Sequence, residues 1–288
     1  DRPTITSGPS SRGDDRRSVW ITAAEIPSQR ILAAGADVQG PGPLDASGPA
    51  PAYTVHVVEN CLCSLGDVAV GPGGEVLVTY QEIILKAHGL DGPAKIFVKH
   101  RDGANPGRTS IGFHYPTQVP VATSFLCSGG KGGNEAPTGD NVWALPHLAW
   151  DLDRNRVYLT YLHEPSNSNN PNDPENDPSK LDSDLFVRAG YGPKFVHWSN
   201  PAVLVDTRGV QTLYDTAINP DTGELAVSWY GTGQNPSGTS LHYFASFSTG
   251  GVASFRPPLN VSTCASGQTF IGNDYTALAF QGDVLLPC

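Results

Sequence analysis

The hydrophobic and polar residues of this chain follow one pattern that returns four times. Each copy begins with a strand of small or apolar residues, turns on Gly, Asp, Asn or Pro, and continues into a second strand that usually ends in a hydroxyl and an aromatic residue. The copies lie at residues 67–80, 147–161, 215–229 and 275–288. Turn residues between two short apolar segments predict a β-hairpin in each copy.

A weaker copy opens the chain at residues 2–9 and 18–22. Alignment of the copies places one hydroxyl side chain at an equivalent position in all but the last, where Pro287 stands: Thr22, Thr79, Thr160 and Ser228. A second aligned position carries only alanine: Ala69, Ala149, Ala217 and Ala279. Such small residues suit a place where several strands converge on a central axis.

Two further strand segments follow most of these hairpins. They pair residues 95–100 with 120–123, 184–188 with 202–205, and 241–247 with 259–262. Two hairpin strands and two further strands make a four-stranded antiparallel blade, and radially arranged blades leave only short, protected edges. The sequence therefore predicts an all-β fold, a β-propeller with about five visible blade starts. A β-sandwich also has many short strands, but it does not need this repetition.

The repeat also predicts the domain organisation. Residues 1–288 are expected to form a single propeller with four complete blades and half of a fifth. From this count we expect the native protein to extend beyond one or both ends of the chain, to about six blades in all.

Several segments carry a family resemblance. Residues 271–279 (IGNDYTALA) resemble the G-D-Y-x-x-L-A opening of a blade in bacterial sialidase-like propellers with BNR repeats. Residues 195–203 and 255–261 resemble the W-S-x-P-x-x-V entry into a fourth strand there, and residues 1–5 resemble another blade opening. The chain is similar to this superfamily along its whole length, in a degenerate form.

The hallmark Asp-box of that superfamily, S-x-D-x-G-x-T-W, has no intact copy here, and residues 190–198 take its place without the aspartate. The resemblance implies that hydrolytic members use three arginines, a Tyr–Glu nucleophile pair and an aspartate acid/base. Of the Arg-x-Pro motif that bears the first arginine, only Arg2 and Pro3 remain, one residue short. We therefore expect that sialidase chemistry is not retained.

Charge and composition narrow the range of partners. The net charge is −10, whereas proteins that bind nucleic acid concentrate Lys and Arg. Neutral, hydroxyl-rich ligands or cations fit this balance better, although modest acidity also simply keeps a protein soluble. No segment reaches the roughly 20 apolar residues of a membrane-spanning helix.

The cysteines indicate the cellular compartment of the protein. Cys61, Cys63, Cys127, Cys264 and Cys288 include no C-x-x-C pair, so one or two disulfides in a secreted, periplasmic or cell-surface protein are the simplest interpretation. The chain has no methionine and begins abruptly at Asp1, which is typical of a processed or trimmed chain.

The inner strands of a sialidase-like propeller begin on one face, around an axial funnel. This placement brings together the candidate catalytic residues Arg2, Asp67, Asp215 and Tyr275 and the candidate ligand-binding residues Asp67, His147, Asp215, Asp274 and Tyr275. Carboxylates, a histidine and a tyrosine around one mouth suit sugar binding or acid–base work. The alternative is that they line a hydrated channel and hydrogen-bond strand ends.

Two further features are candidates for binding. The acidic segment 166–184 offers hard oxygen ligands for Ca²⁺ at Asp173, Glu175, Asp177, Asp182 and Asp184; a solvated loop without an ion is the alternative. The indole rings of Trp143, Trp198 and Trp229 can stack on sugars or fill blade cores.

Three functions follow as hypotheses. The first is a secreted module that binds a glycan or another extracellular ligand without hydrolysing it. The second is an active exo-glycosidase, a glycoside hydrolase of the sialidase type whose site lies partly outside this segment. The third is a structural platform, a subunit of an envelope or surface assembly. The fold alone does not choose among them.

Overall fold

The structure is a computed structural model of the chain. It describes residues 3–11, 16–25, 28, 30–39, 54–60, 63–83, 91–103, 113–114, 117–119, 123–126, 146–163, 184–191, 195–205, 211–232, 240–262, 266–267 and 277–287. Within these ranges the chain forms antiparallel β-sheets, so the predicted all-β class is confirmed. No helix in this part of the chain is long and apolar enough to cross a membrane.

The described strands form five sheets in chain order. Sheet one contains β1 (Thr4–Pro9), β2 (Arg16–Glu25), β3 (Arg30–Gln39) and β4 (Thr54–Glu59). Sheet two contains β5 (Cys63–Val70), β6 (Val76–Ile83), β7 (Asp91–Arg101), β8 (Thr117–Gln118) and β9 (Thr123–Leu126). Sheet three contains β10 (His147–Asp151), β11 (Arg156–His163), β12 (Asp184–Tyr191), β13 (His197–Trp198) and β14 (Ala202–Val205). Sheet four contains β15 (Gln211–Ile218), β16 (Leu225–Gly231), β17 (Ser240–Ser248), β18 (Leu259–Asn260) and β19 (Ser266–Gly267), and sheet five contains β20 (Leu278–Gln281) and β21 (Val284–Pro287).

The predicted hairpins are the first two strands of each sheet. β5 pairs with β6, β10 with β11, β15 with β16, and β20 with β21, all antiparallel. The weaker copy at the start of the chain is the pair β1 and β2. The turn between β5 and β6 is closed by Gly71 and Glu75, whose backbone groups bond at 2.8 Å. Gly74 takes a φ of 80° there, which an L side chain rarely adopts.

The outermost position of sheets two, three and four is divided between two short segments. In sheet two, β8 pairs with one end of β7 and β9 with the other. The pairs β13 and β14 on β12, and β18 and β19 on β17, repeat this arrangement. The sequence predicted one continuous strand at residues 120–123, of which the structure describes only Thr123, the first residue of β9. Short, interrupted edge strands offer little template for pairing with another chain.

The sheets pack face to face, with their first strands in contact: β1 with β5, β5 with β10, β10 with β15, and β15 with β20. Strand β6 shows how sheet two is held against both of its neighbours, sheets one and three. Val76 and Val78 join Trp20 in one buried cluster with sheet one, whereas Leu77 joins Trp150 in a second cluster with sheet three. Successive strand residues point to opposite faces, so β6 is buried on both sides.

The predicted hydroxyl column is present and completely buried at Thr22, Thr79, Thr160 and Ser228. Each hydroxyl has a partner. Thr79 donates to the Phe97 carbonyl within its own sheet at 3.0 Å, and Thr22 donates to the Gly66 carbonyl of the next sheet at 3.3 Å. Buried hydroxyls need such partners, which explains why this column carries Thr and Ser.

The predicted alanine column is less uniform. Ala69 and Ala149 are buried, Ala217 is half-buried and Ala279 is exposed. The small side chains predicted close packing of the strands at this position. Within the described residues, the alanine is buried in sheets two and three and becomes more exposed towards sheet five.

Candidate functional site

The register of the hairpins places Asp67, His147 and Asp215 at one equivalent position. Each lies on the first strand of its sheet, directly opposite a residue of the hydroxyl column. In β5 and β15 the register shifts just before the aspartate, between Ser64 and Asp67 and between Thr212 and Asp215. Such bulges redirect a side chain, and here they precede both carboxylates.

Asp67 binds two backbone N–H groups from two sheets. Its Oδ1 accepts from the N–H of Val68 at 2.7 Å, and its Oδ2 accepts from the N–H of Leu148 on β10 at 2.7 Å. The carboxylate thus links β5 to the first strand of sheet three. Hydrogen bonds to an ionised acceptor are stronger than neutral ones, so this link is well suited to fix two adjacent sheets.

Asp215 makes the same pair of bonds two sheets further along, between sheets four and five. Its Oδ1 accepts from the N–H of Thr216 at 2.6 Å, and its Oδ2 accepts from the N–H of Leu278 on β20 at 2.7 Å. The two aspartates are therefore equivalent in contact as well as in register. Hydrogen bonding to strand ends, one of the two roles considered for these residues, is thus observed for both.

His147 lies between the two carboxylates. Its Nδ1 is 3.4 Å from Oδ1 of Asp215 and 3.7 Å from Oδ2 of Asp67. The side chains of His147, Asp67 and Asp215 are 23%, 14% and 18% exposed. The three groups thus form one partly buried cluster, called here the axial cluster after the axial position expected from the sequence, and the imidazole is its most exposed member.

Two members of the axial cluster, His147 and Asp67, have raised pKa values. Burial alone would lower the pKa of His147, but the hydrogen bond to Asp215 and the negative charges of Asp215 and Asp67 outweigh it and raise that pKa. Burial also raises the pKa of Asp67, against the opposing effects of His147 and the backbone N–H groups. The charged imidazolium, with a donor on each nitrogen, is therefore favoured beside these carboxylates.

Tyr214 packs against the imidazole of His147. Its ring meets that of His147 edge to face, with the centroids 5.0 Å apart, and its hydroxyl donates to the Thr160 carbonyl of sheet three at 3.2 Å. Burial, together with the carboxylates of Asp67 and Asp215, raises the pKa of Tyr214 well above 10. This tyrosine therefore stays neutral and positions the histidine.

Sequence reasoning did not select Tyr214. It directly precedes Asp215, but its contact with His147 depends on how sheets three and four face each other. The available signal was an aromatic residue beside an aspartate at the start of a repeat, which is a weak one.

Most of the other predicted site residues are not described by the structure. Arg2, Asp274 and Tyr275 lie outside the described residues. So do four of the five predicted calcium ligands, Asp173, Glu175, Asp177 and Asp182. The fifth, Asp184, is the first residue of β12, where it pairs across the sheet with His163 and is buried. Calcium binding by this set remains a prediction.

The aromatic and cysteine predictions have mixed outcomes. Trp229 is 2% exposed and packs in the core, so stacking of its indole on a sugar is excluded. Trp198 is half-buried and packs against the same core, and Trp143 lies outside the described residues. The side chains of all five cysteines also lie outside the described part of the chain, and disulfides remain a prediction.

A second polar cluster, not selected from the sequence, lies at the end of β7. It consists of His100, Asp102 and His114, whose ligand atoms all lie within 4.8 Å of one another. The sequence signal for it was the spacing His-x-Asp. The third member, His114, lies 12 residues beyond Asp102, a separation that a local pattern does not reveal.

No family model and no curated protein matches this chain. Among solved structures, an N-acetylgalactosamine deacetylase from F. plautii, in complex with blood group B trisaccharide, superposes with a TM-score of 0.50 at 10% identity. The superposition covers 97% of this chain and 74% of the deacetylase.

The two chains share a fold.

Two other structures superpose less well. A Hadza microbial sialidase gives a TM-score of 0.45 at 14% identity over 85% of this chain, which spans about half of the sialidase, 48% of its length. A luciferin-regenerating enzyme gives a TM-score of 0.32 at 12% identity, with 90% of this chain and 81% of that enzyme covered.

Proposed function

We propose that this chain is a sialidase-like propeller that binds a glycan or another hydroxyl-rich extracellular ligand at the axial cluster without hydrolysing it. The observation that carries the proposal is the engagement of both carboxylates. Asp67 and Asp215 each use their two oxygens to bind backbone N–H groups of adjacent sheets.

The arrangement of the sheets supports the propeller. In the described part of the chain, five sheets follow one another, neighbouring sheets touch through their first strands, and three sheets carry short, divided outer strands. These are the contacts expected of blades whose inner strands surround an axis. Under this proposal the axial cluster faces the central funnel.

The engaged carboxylates argue against glycoside hydrolysis at this place. Hydrolysis needs one carboxyl group to deliver a proton and a second to attack the sugar or activate water. Asp67 and Asp215 are instead held by backbone N–H groups of adjacent sheets, and both lie beside one shared imidazole. They position His147 for binding rather than serve as an acid and a base.

The imidazole of His147 can bind a sugar hydroxyl. A charged imidazole held at Nδ1 by carboxylates retains a donor on Nε2 for a sugar hydroxyl. The net charge of −10 disfavours polyanionic ligands, so a neutral glycan is the first class to test. The F. plautii deacetylase was solved with a blood group B trisaccharide, which makes that sugar a suitable probe. Secretion from the producing cell is part of the proposal.

The experiment combines a glycan array with a fluorogenic sialoside assay on the purified chain. We expect binding of at least one glycan, weakened in His147→Gln, and no turnover. The matched control is His242→Gln, the same exchange on β17 of sheet four, which should bind like the wild type.

Each other outcome contradicts the proposal. Turnover that is abolished by Asp67→Asn would identify a glycosidase. Absence of binding to every glycan would favour a structural platform. Binding that is equal in wild type and His147→Gln would place the ligand away from the axial cluster.

A further inference from the structure

The cluster of His100, Asp102 and His114 is built by the backbone. His100 lies near the end of β7 and Asp102 directly follows the strand. The N–H of His114 donates to the carbonyl of His100 at 2.8 Å. This bond returns the chain to the strand and places the second imidazole over the first, with ring centroids 5.7 Å apart and planes inclined by 14°.

The carboxylate bridges the two rings. Oδ2 of Asp102 is 2.7 Å from Nε2 of His114, and Oδ1 is 3.3 Å from Nδ1 of His100. The two imidazole nitrogens therefore face the same carboxylate, one at each of its oxygens, and a ligand atom from each residue lies within 4.8 Å of the other two. The cluster is separate from the axial cluster, because β7 is the third strand of sheet two whereas Asp67 lies on the first.

The geometry points to a site for a divalent transition metal ion, of which Zn²⁺ is the best fit, held by His100, Asp102 and His114. Zinc takes histidine nitrogens and aspartate oxygens as ligands, and three protein ligands leave a fourth position for water. Hard cations such as Ca²⁺ and Mg²⁺ prefer oxygen ligands, so two imidazoles select against them.

The burial of the three residues suits metal entry. The side chain of His100 is 8% exposed, while those of Asp102 and His114 are 59% and 41% exposed. A zinc ion lies about 2.0–2.2 Å from each ligand atom, so the ligand atoms must approach one another more closely than their present limit of 4.8 Å. His100 gives a fixed anchor, and the two exposed side chains can rotate to close the site.

Metal binding at this place would also strengthen the contact between two sheets. The ring of His100 lies 6.5 Å from that of Phe195, which packs on Trp150 of sheet three with centroids 4.7 Å apart. Fixing His100 therefore also restrains the segment that carries Phe195. Because a ligand that binds only the folded state stabilises it, Zn²⁺ is expected to raise the melting temperature.

The test uses the chelator-treated, untagged chain and titrates it with Zn²⁺ by calorimetry and with Co²⁺ by visible absorption. We expect one saturable site, a nitrogen- and oxygen-liganded Co²⁺ spectrum and a higher melting temperature with Zn²⁺. Binding should be lost in His114→Ala and in the isosteric Asp102→Asn. It should be retained in His242→Ala, which removes a histidine of sheet four.

Cysteine thiolates also bind these ions, and the design separates them. Alkylation of the thiols should leave the Zn²⁺ titration unchanged. The inference is overturned if the wild type binds no metal, if both variants bind as well as the wild type, or if alkylation abolishes binding. Circular dichroism of each variant shows whether it is folded, and because Asp102→Asn keeps the side-chain size, it tests the site even if His114→Ala unfolds.

Discussion

Asp67 and Leu148 join two sheets through a single hydrogen bond, from the N–H of Leu148 to the carboxylate of Asp67 at 2.7 Å. Asp215 and Leu278 make the same bond, with the same length, between sheets four and five. In both cases the second carboxylate oxygen accepts the N–H of the next residue of its own strand. The repeat in the sequence is thus also a repeat in how neighbouring sheets are attached.

Asp67→Asn is expected to lower the free energy of unfolding. The amide keeps one acceptor oxygen but presents an NH₂ group where the second oxygen stood, so one of two buried N–H groups loses its acceptor. Such a loss costs about 1–3 kcal/mol. Urea denaturation measures it, and Asp215→Asn should behave alike.

Asp221→Asn is the matched control for this pair. Asp221 lies exposed in the turn between β15 and β16, and surface exchanges usually change stability by less than about 0.5 kcal/mol. Equal stabilities of Asp67→Asn and Asp221→Asn would show that the bond between the sheets contributes nothing.

The pH dependence of stability should report on His147. Because its pKa is raised in the folded state, its contribution is complete below the ordinary value of 6.5 and is lost as pH rises through the folded pKa. The difference in unfolding free energy between the wild type and His147→Gln should therefore shrink as pH increases above 6.5.

Denaturation at a series of pH values from about 5 to 9 measures this difference across the ordinary titration range of histidine. The same series on His242→Gln, an exchange of the same kind on β17 of sheet four, serves as the comparison. A difference that stays constant over this range would mean that the two carboxylates do not stabilise the charged imidazole.

The repeat explains how much of this arrangement was predictable. The same pairing recurs in three hairpins, so aligning these copies was sufficient to place Asp67, His147 and Asp215 at equivalent positions opposite the hydroxyl column. Hydrophobic alternation and turn residues carry this information locally. The same alternation and turn residues also predicted the all-β class.

The contacts between sheets were beyond such local signals. The approach of Tyr214 to His147 and the acceptance of the Leu148 N–H by Asp67 both depend on how one sheet packs on the next. His114 reaches His100 from a separate segment through a backbone bond that no periodic pattern encodes. Sequence reasoning therefore located positions on strands but not the partners that give them their chemistry.

The buried hydroxyls of Thr160 and Thr216 should show energetic coupling. Thr216 donates to Thr160 at 2.8 Å, between sheets four and three, and both side chains are buried. Each Thr→Val exchange alone leaves one hydroxyl without its partner, at about 1–3 kcal/mol. The double variant removes both, so it should cost less than the two single variants together.

A double-mutant cycle measured by urea denaturation tests this coupling. Thr4→Val is a useful comparison, because Thr4 lies on the first strand of sheet one and its hydroxyl bonds to that of Thr22 at 2.7 Å. The loss of unfolding free energy in Thr4→Val should simply add to the loss in Thr160→Val. Strict additivity of Thr160→Val and Thr216→Val would contradict the direct bond.

Glu59 joins sheets one and two through its side chain. Its Oε2 accepts from the hydroxyl of Tyr80 at 3.0 Å and lies 2.9 Å from Nζ of Lys99. Burial by itself raises the pKa of Glu59, but the Asn60 N–H, Lys99 and Tyr80 outweigh it and lower that pKa. The ionised carboxylate therefore stabilises the fold above the ordinary value of 4.5, and this contribution is lost as pH falls through the lowered pKa.

Glu59→Gln should accordingly lose about 1.5–3 kcal/mol at neutral pH, the range for hydrogen bonds to charged groups. The deficit relative to the wild type should diminish below pH 4.5, because the wild type then loses its charge as well. Glu25→Gln provides the comparison, since the ion pair of Glu25 with Arg30 is more exposed than that of Glu59 with Lys99. Exposed ion pairs contribute little to stability, so similar losses in the two variants would show that burial does not strengthen the Glu59 contacts.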